Sequence, residues 1–177
     1  SYVAGDIDFK SQLTTIRAQK PDVIFVPGYY TEVGLIAKQA RELGIKVALL
    51  GGDGWDSSKL YEIGGSALDG CYFSSHYSPE SADPKVQDFV KKYQAQYGQV
   101  PDALATLGYD SVGVLAAALK SAKSLSGADI RDAIAATKAY PGVTGSISLD
   151  ANRDAVKPAV VLKIENSKAS YVTTVNP

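Results

Sequence analysis

The sequence predicts an α/β protein in which helices flank a parallel sheet. Short unbroken apolar runs alternate with amphipathic helical stretches through the first 75 residues or so. That alternation is the pattern of strand–helix–strand units with right-handed crossovers. The runs carry no polar alternation, as expected of strands covered on both faces. Two of them end in glycine-containing loops that also hold charged and aromatic residues.

The elements follow in order. Asp6 or Asp8 can cap a helix whose apolar face is Phe9, Leu13 and Ile16, broken by Lys20-Pro21-Asp22. Val23-Ile24-Phe25-Val26 reads as a strand buried on both faces. Thr31 opens a second helix with Val33, Ile36, Ala37 and Ala40 inward and Lys38, Arg41 and Glu42 outward, stopped by Gly44. Val47 to Leu50 is the next buried strand, and Gly51-Gly52-Asp53-Gly54-Trp55 follows it. Asp56-Ser57-Ser58 caps a short helix, and Gly70 to Ser75 is a third strand.

The pattern changes after His76. Tyr77 to Pro84 is turn-rich, and three helices follow with no strand between them, at 85–97, 103–122 and 128–137. Short strands are expected at 143–149, 158–164 and 170–175. The predicted organisation is therefore 1–77 as one α/β lobe, 78–155 as a mainly helical part, and 156–177 as final strands.

Composition narrows the function. Lys and Arg number 18 against 19 Asp and Glu, a net charge of −1, without the basic excess of a nucleic-acid binder. One Cys (Cys71) forms no intramolecular disulfide, and one His (His76) builds no multi-His metal site. No apolar run approaches the roughly 20 residues that cross a bilayer. There is no Met and no signal peptide at Ser1, so a processed, trimmed or partial chain is expected.

In an open parallel sheet, ligands bind outside the carboxyl ends of the strands. Pro27-Gly28-Tyr29-Tyr30 and Gly51-Gly52-Asp53-Gly54-Trp55 both fall there. Asp53 offers a carboxylate, and Tyr29 and Trp55 offer aromatic faces, a set suited to an ammonium group. The same residues also fit a capped turn and interface core. Phosphate is disfavoured: the loop lacks P-loop spacing and the following Lys, and Asp53 would repel the anion. No catalytic constellation appears: His76 beside Ser74 and Ser75 lacks a Gly-x-Ser-x-Gly elbow, Cys71 reads as an inert thiol, and the scattered Asp residues match no calcium loop. Lys85, Lys91 and Lys92 share a solvated helix face with Asp88. The apolar helix around Val112 to Leu119 would be exposed if its packing partner is absent.

Pro27-Gly28-Tyr29-Tyr30-Thr31-Glu32-Val33, Lys38-Gln39-Ala40-Arg41-Glu42-Leu43-Gly44 and Gly51 to Asp56 together resemble the leucine/isoleucine/valine-type (type I) periplasmic binding proteins of ABC importers. Gly108-Tyr109-Asp110-Ser111-Val112, Gly142-Val143-Thr144-Gly145 and the opening Gly5-Asp6-Ile7-Asp8-Phe9 extend the likeness over the whole chain. The resemblance implies two α/β lobes holding an amino acid in an interlobe cleft. It implies that 1–77 is most of the second lobe, 78–155 returns to the first, and 156–177 returns to the second. Asp53 then resembles the acid that takes the substrate's α-ammonium, Tyr29 the aromatic beside it, and Trp55 a wall near the ligand. The family often has Glu where Asp53 stands, which keeps the charge and changes its reach. The implied ligand is an aliphatic or branched-chain amino acid and the implied partner a membrane permease, in the periplasm or outside the cell. Catalysis, cofactor, metal and nucleic acid are not expected. The residues that hold the substrate carboxylate would lie upstream of Ser1, so a missing N-terminal half, or a homodimer with a second copy, is expected to complete the protein. The alternatives are an isolated or engineered half that folds or dimerises but binds nothing, and a sensor domain of the same fold.

Overall fold

In the computed structural model, which describes residues 1–177, the elements run α1 (Lys10–Ala18), β1 (Val23–Phe25), α2 (Tyr30–Glu42), β2 (Ala48–Gly51), α3 (Ser58–Gly64), β3 (Tyr72–Ser75), α4 (Pro84–Tyr97), α5 (Ala103–Ser121), α6 (Gly127–Ala135), β4 (Tyr140–Gly142), β5 (Gly145–Leu149), β6 (Ala155–Val156), β7 (Ala159–Glu165) and β8 (Lys168–Val175). The chain divides into two units: Ser1–Ser75 with Val161–Thr173, and His76–Val160 with Thr174–Pro177.

The sheet of the first unit has the order β1-β2-β3-β7-β8. β1 pairs with β2 and β2 with β3, both parallel, in the register Ile24↔Leu49 and Leu50↔Tyr72. β7 and β8 are joined through Asn166 and Ser167, both at positive φ (52° and 59°), the backbone of a tight primed hairpin turn. Leu49, Val33, Ala37, Ala40, Leu60, Leu68, Phe73 and Ile164 are buried in its core. Gly34 lets α2 and α3 close on each other, because a Cβ there would stand 2.6 Å from Ile63 Cγ2. The parallel sheet flanked by helices is as the sequence predicts. β1 differs: Ile24 is buried, but Val23 and Phe25, which share the opposite face of the strand, are exposed. Arg41 also turns inward. Its guanidinium donates to the carbonyls of Ala67, Ile45 and Val47 at 2.8–3.0 Å and to Cys71 Sγ at 3.4 Å. Burial pushes the Cys71 thiol up, in keeping with an inert, packed sulfur.

The second unit packs Tyr77, Val86, Phe89, Val90, Ala103 and Val143 into its own core. Its helices are capped by side chains: Asp83 accepts from Lys85 N (2.8 Å), Asp102 from Ala105 N (2.8 Å) and Ser126 from Asp129 N (3.2 Å). The strand expected at 143–149 forms over Gly145–Leu149 as β5 and pairs with β4 as a hairpin, with Gly142 opposite Gly145 and Val143-Thr144 as its turn. β6 adds to it antiparallel through Leu149↔Ala155. The hairpin forms because Gly145, at φ +104°, turns the chain where an L side chain is rarely placed.

α5 is the exception to burial. Leu104, Val112, Leu115 and Leu119 fall on one stripe of the helix and are all exposed, as is Tyr109. At 19 residues α5 is long and apolar enough to cross a membrane by length and composition alone, closer to that limit than the sequence reading allowed. Asp110, buried in mid-helix and tied to a turn of the same unit, fits packing on protein instead.

Candidate ligand-binding site

Both glycine-bearing loops emerge at the carboxyl ends of β1 and β2, the strands that pair in parallel. Pairing continues past β1 through Val26 N to Leu50 O at 2.8 Å. Three carbonyls of the next turn are then occupied. Val26 O accepts the Trp55 indole N–H at 3.2 Å, and Pro27 O accepts the Tyr2 hydroxyl at 2.8 Å. Gly28 O lies against Gly54, where a Cβ would approach it to 2.6 Å, and Tyr29 O accepts Val33 N at 3.1 Å.

Tyr29 stands at the N-terminus of α2 in extended backbone (φ −106°, ψ 162°) and is 71% exposed. A Cβ on Gly54 would also lie 3.1 Å from Tyr29 Cδ1, so the Tyr29 ring rests against the residue that follows Asp53. Asp53 opens a single 3₁₀ turn, Asp53–Trp55, and is exposed. The structure therefore brings the Tyr29 ring and the Asp53 turn to one rim of the first unit. Glycines on both loops make that approach possible.

Trp55 departs from the wall expected of it. It is fully buried, it stacks on Phe73 (centroids 6.1 Å apart, planes at 29°), and it fills the space a side chain on Gly51 would need. Its one polar atom is held by Val26. Trp55 thus braces the two loops from below, because a large ring with a satisfied N–H gains more from the core than from the rim. Next to it, Asp56 Oδ2 accepts the Ser75 hydroxyl at 3.0 Å. Burial, together with the Asp56 charge, pushes the Tyr61 phenol up to about 12. His76 falls in the second unit, half-buried, and its carbonyl accepts from Lys157 Nζ at 3.4 Å.

Two contributors to the rim escaped the sequence reading: Tyr2, which bonds Pro27, and Glu32, whose Oε1 accepts Gly5 N at 2.8 Å. Both contacts span more than 20 residues, so the Pro27 to Val33 motif that contains Glu32 shows neither of them. An exposed carboxylate beside an aromatic face can hold a primary ammonium by charge-assisted hydrogen bonds and a cation–π contact.

Residues 1–174 match the family described as periplasmic binding protein. The chain belongs to that family. Among solved periplasmic binding proteins, it is similar to a leucine binding protein, LivK, of Thermotoga maritima: 40% identity, TM-score 0.94, covering 99% of this chain and 51% of that one. It is also similar to the branched-chain amino acid transporter substrate binding protein LivJ of Streptococcus pneumoniae, solved in complex with isoleucine, at 38% identity and TM-score 0.88, with 99% and 51% covered. A curated relative, Leu/Ile/Val-binding protein homolog 1 of Brucella suis, is 28% identical over 172 residues, which is 95% of this chain and 46% of that protein. The chain spans about half the length of the curated relatives it matches.

Proposed function

We propose that this chain carries the ammonium-binding part of a solute site for an aliphatic or branched-chain amino acid. The observation that carries the reading is the rim itself: exposed Asp53 between glycines, with the Tyr29 ring resting against Gly54. Asp53 would accept the α-ammonium, Tyr29 would offer its face to the same charge, and Trp55 would support both loops without touching the ligand. The names of the LivK, LivJ and Leu/Ile/Val-binding relatives point to the same ligand class.

On this reading the protein serves an ABC importer and delivers its amino acid to a membrane permease, in the periplasm or outside the cell, without catalysing a reaction. Units 1–77, 78–155 and 156–177 would correspond to most of one lobe, the part returning to the other, and the final strands. The exposed stripe of α5 favours a further partner, either chain of the kind the longer relatives possess or a second copy of this one.

The test is calorimetry with L-leucine, L-isoleucine, L-valine and L-alanine on the wild type, Asp53→Ala and Asp53→Glu. A hydrogen bond to a charged group contributes about 1.5–3 kcal/mol, so Asp53→Ala should weaken binding by about tenfold or more. Asp53→Glu keeps the charge and should retain part of the affinity. Unchanged affinity in Asp53→Ala overturns the assignment.

A further inference from the structure

We infer that Tyr2 is a positioning residue for the ligand rim: its hydroxyl stands where a side chain on Gly28 would be, and so sets how Tyr29 is presented beside Asp53. The inference rests on the reading of Tyr29 and Asp53 as the ammonium site.

Gly28 is the one residue between the end of the β1 pairing and Tyr29 that has no side chain to restrict it. Left alone it would be the freest point of the loop. Tyr2 and Gly54 remove that freedom from two sides. The Tyr2 hydroxyl donates to Pro27 O at 2.8 Å, and because a peptide is planar this orients the whole Pro27–Gly28 unit. On the other side Gly54 packs so near Gly28 O that a Cβ there would stand 2.6 Å from it, which limits how the Gly28–Tyr29 unit can turn. Limiting both planes limits the dihedrals of Gly28, and with them the position of Tyr29.

Tyr2 can act this way because the segment bearing it is anchored. Its ring meets the buried Phe9 edge-on, at 5.4 Å and 88°. Gly5 N donates to Glu32 in the first turn of α2 at 2.8 Å, and Phe9 N donates to Gln39 Oε1 further along α2 at 2.7 Å. The N-terminal segment therefore grips both the start of α2 and the loop before it. Burial, with the Glu32 charge, raises the Tyr2 phenol, which keeps the hydroxyl a donor across the neutral range. Holding a loop in its binding geometry before the ligand arrives raises affinity without any contact to the ligand.

The geometry dictates a compensation experiment. A Cβ on Gly28 would lie 2.0 Å from the Tyr2 hydroxyl oxygen but 3.3 Å from the ring carbon that bears it. Gly28→Ala should therefore be disruptive beside Tyr2 and tolerated in a Tyr2→Phe background. Two readouts are needed in the wild type, Tyr2→Phe, Gly28→Ala and the double variant: L-leucine affinity by calorimetry, and the ¹⁹F line of 3-fluorotyrosine placed at position 29 in the ligand-free protein. Gly28→Ala should move the ¹⁹F line and weaken leucine binding about tenfold, and the double variant, relieved of the clash but still without the hydroxyl, should return to the level of Tyr2→Phe alone, as coupled neighbours do in such cycles. Tyr2→Phe alone should also move the line. A role confined to stability would lower the unfolding midpoint and leave both readouts where they were, and that result overturns the inference. So does an effect of Gly28→Ala that is the same in both backgrounds. Should Gly28→Ala fail to fold by circular dichroism, an unmoved line in Tyr2→Phe is sufficient to reject the inference. If the wild type binds no amino acid, the proposed ligand fails, while the ¹⁹F cycle still decides the role of Tyr2.

Discussion

Asp110 holds Thr144 twice. The Thr144 backbone N–H and its hydroxyl both donate to Asp110 Oδ2 at 2.8 Å, while the neighbouring Val143 N–H donates to Oδ1 at 2.8 Å. One side chain on α5 thus captures both outward N–H groups of the β4–β5 turn. Gly142 is required beside it, since a Cβ there would lie 2.7 Å from Oδ2.

All of these groups are buried, so removing the acceptor leaves two N–H donors and a hydroxyl without partners. Each such loss costs about 1–3 kcal/mol, and Asp110→Ala should destabilise the protein by about 3–5 kcal/mol in total. Thr144→Val, which removes one donor and keeps the shape, should cost about 1 kcal/mol. Urea unfolding followed by circular dichroism measures both. Equal midpoints for Asp110→Ala and wild type would show that water replaces the carboxylate and that the lock contributes nothing.

This lock also shows how far the sequence could be read. Gly108 to Val112 and Gly142 to Gly145 stand out as separate motifs, but their meeting depends on the path of the chain between them. Local patterns gave the strand–helix alternation of the first unit because burial imposes a period on contiguous residues. They placed Asp53 and Tyr29 on one rim because the loops follow adjacent parallel strands. The place of Trp55 is not legible in the sequence: its type suits a rim and a core equally, and only the gap above Gly51 decides. Arg41 departs in the opposite direction, since a charged residue on an outward helix position gives no sign of the three carbonyls it meets. Tyr2 was silent because its partners lie beyond any local window.

Tyr61 makes stability depend on alkaline pH. Its phenol is pushed up to about 12 in the folded protein, by burial first and the Asp56 charge second, from an ordinary value of 10.0. The folded state therefore favours the protonated phenol. Its contribution is fully present below pH 10, where the unfolded chain is also protonated, and is lost as pH rises from 10 through 12. The group is only part-buried, so after allowance for solvent screening the loss is about 1–2 kcal/mol. The difference in thermal midpoint between wild type and Tyr61→Phe, followed from pH 9 to 12, isolates it from the other tyrosines. A difference that stays constant over that range refutes the assignment.

The stripe on α5 leads to the last prediction. Leu104 and Val112 are 72% and 67% exposed, with Leu115 on the same face, so apolar surface faces water along most of a 19-residue helix. Contiguous apolar surface of that kind draws a partner or a second copy. Glutamate is a good helix former and both positions are exposed, so Leu104→Glu with Val112→Glu should change stability by no more than about 0.5 kcal/mol per site. Association should respond much more strongly, because two carboxylates would have to be desolvated to re-form the contact. Light scattering across a concentration series should show the wild type growing in mass and the double variant remaining a monomer. A wild type that stays monomeric at the highest concentration excludes the second copy and leaves chain of the kind found in the longer relatives as the partner for this face.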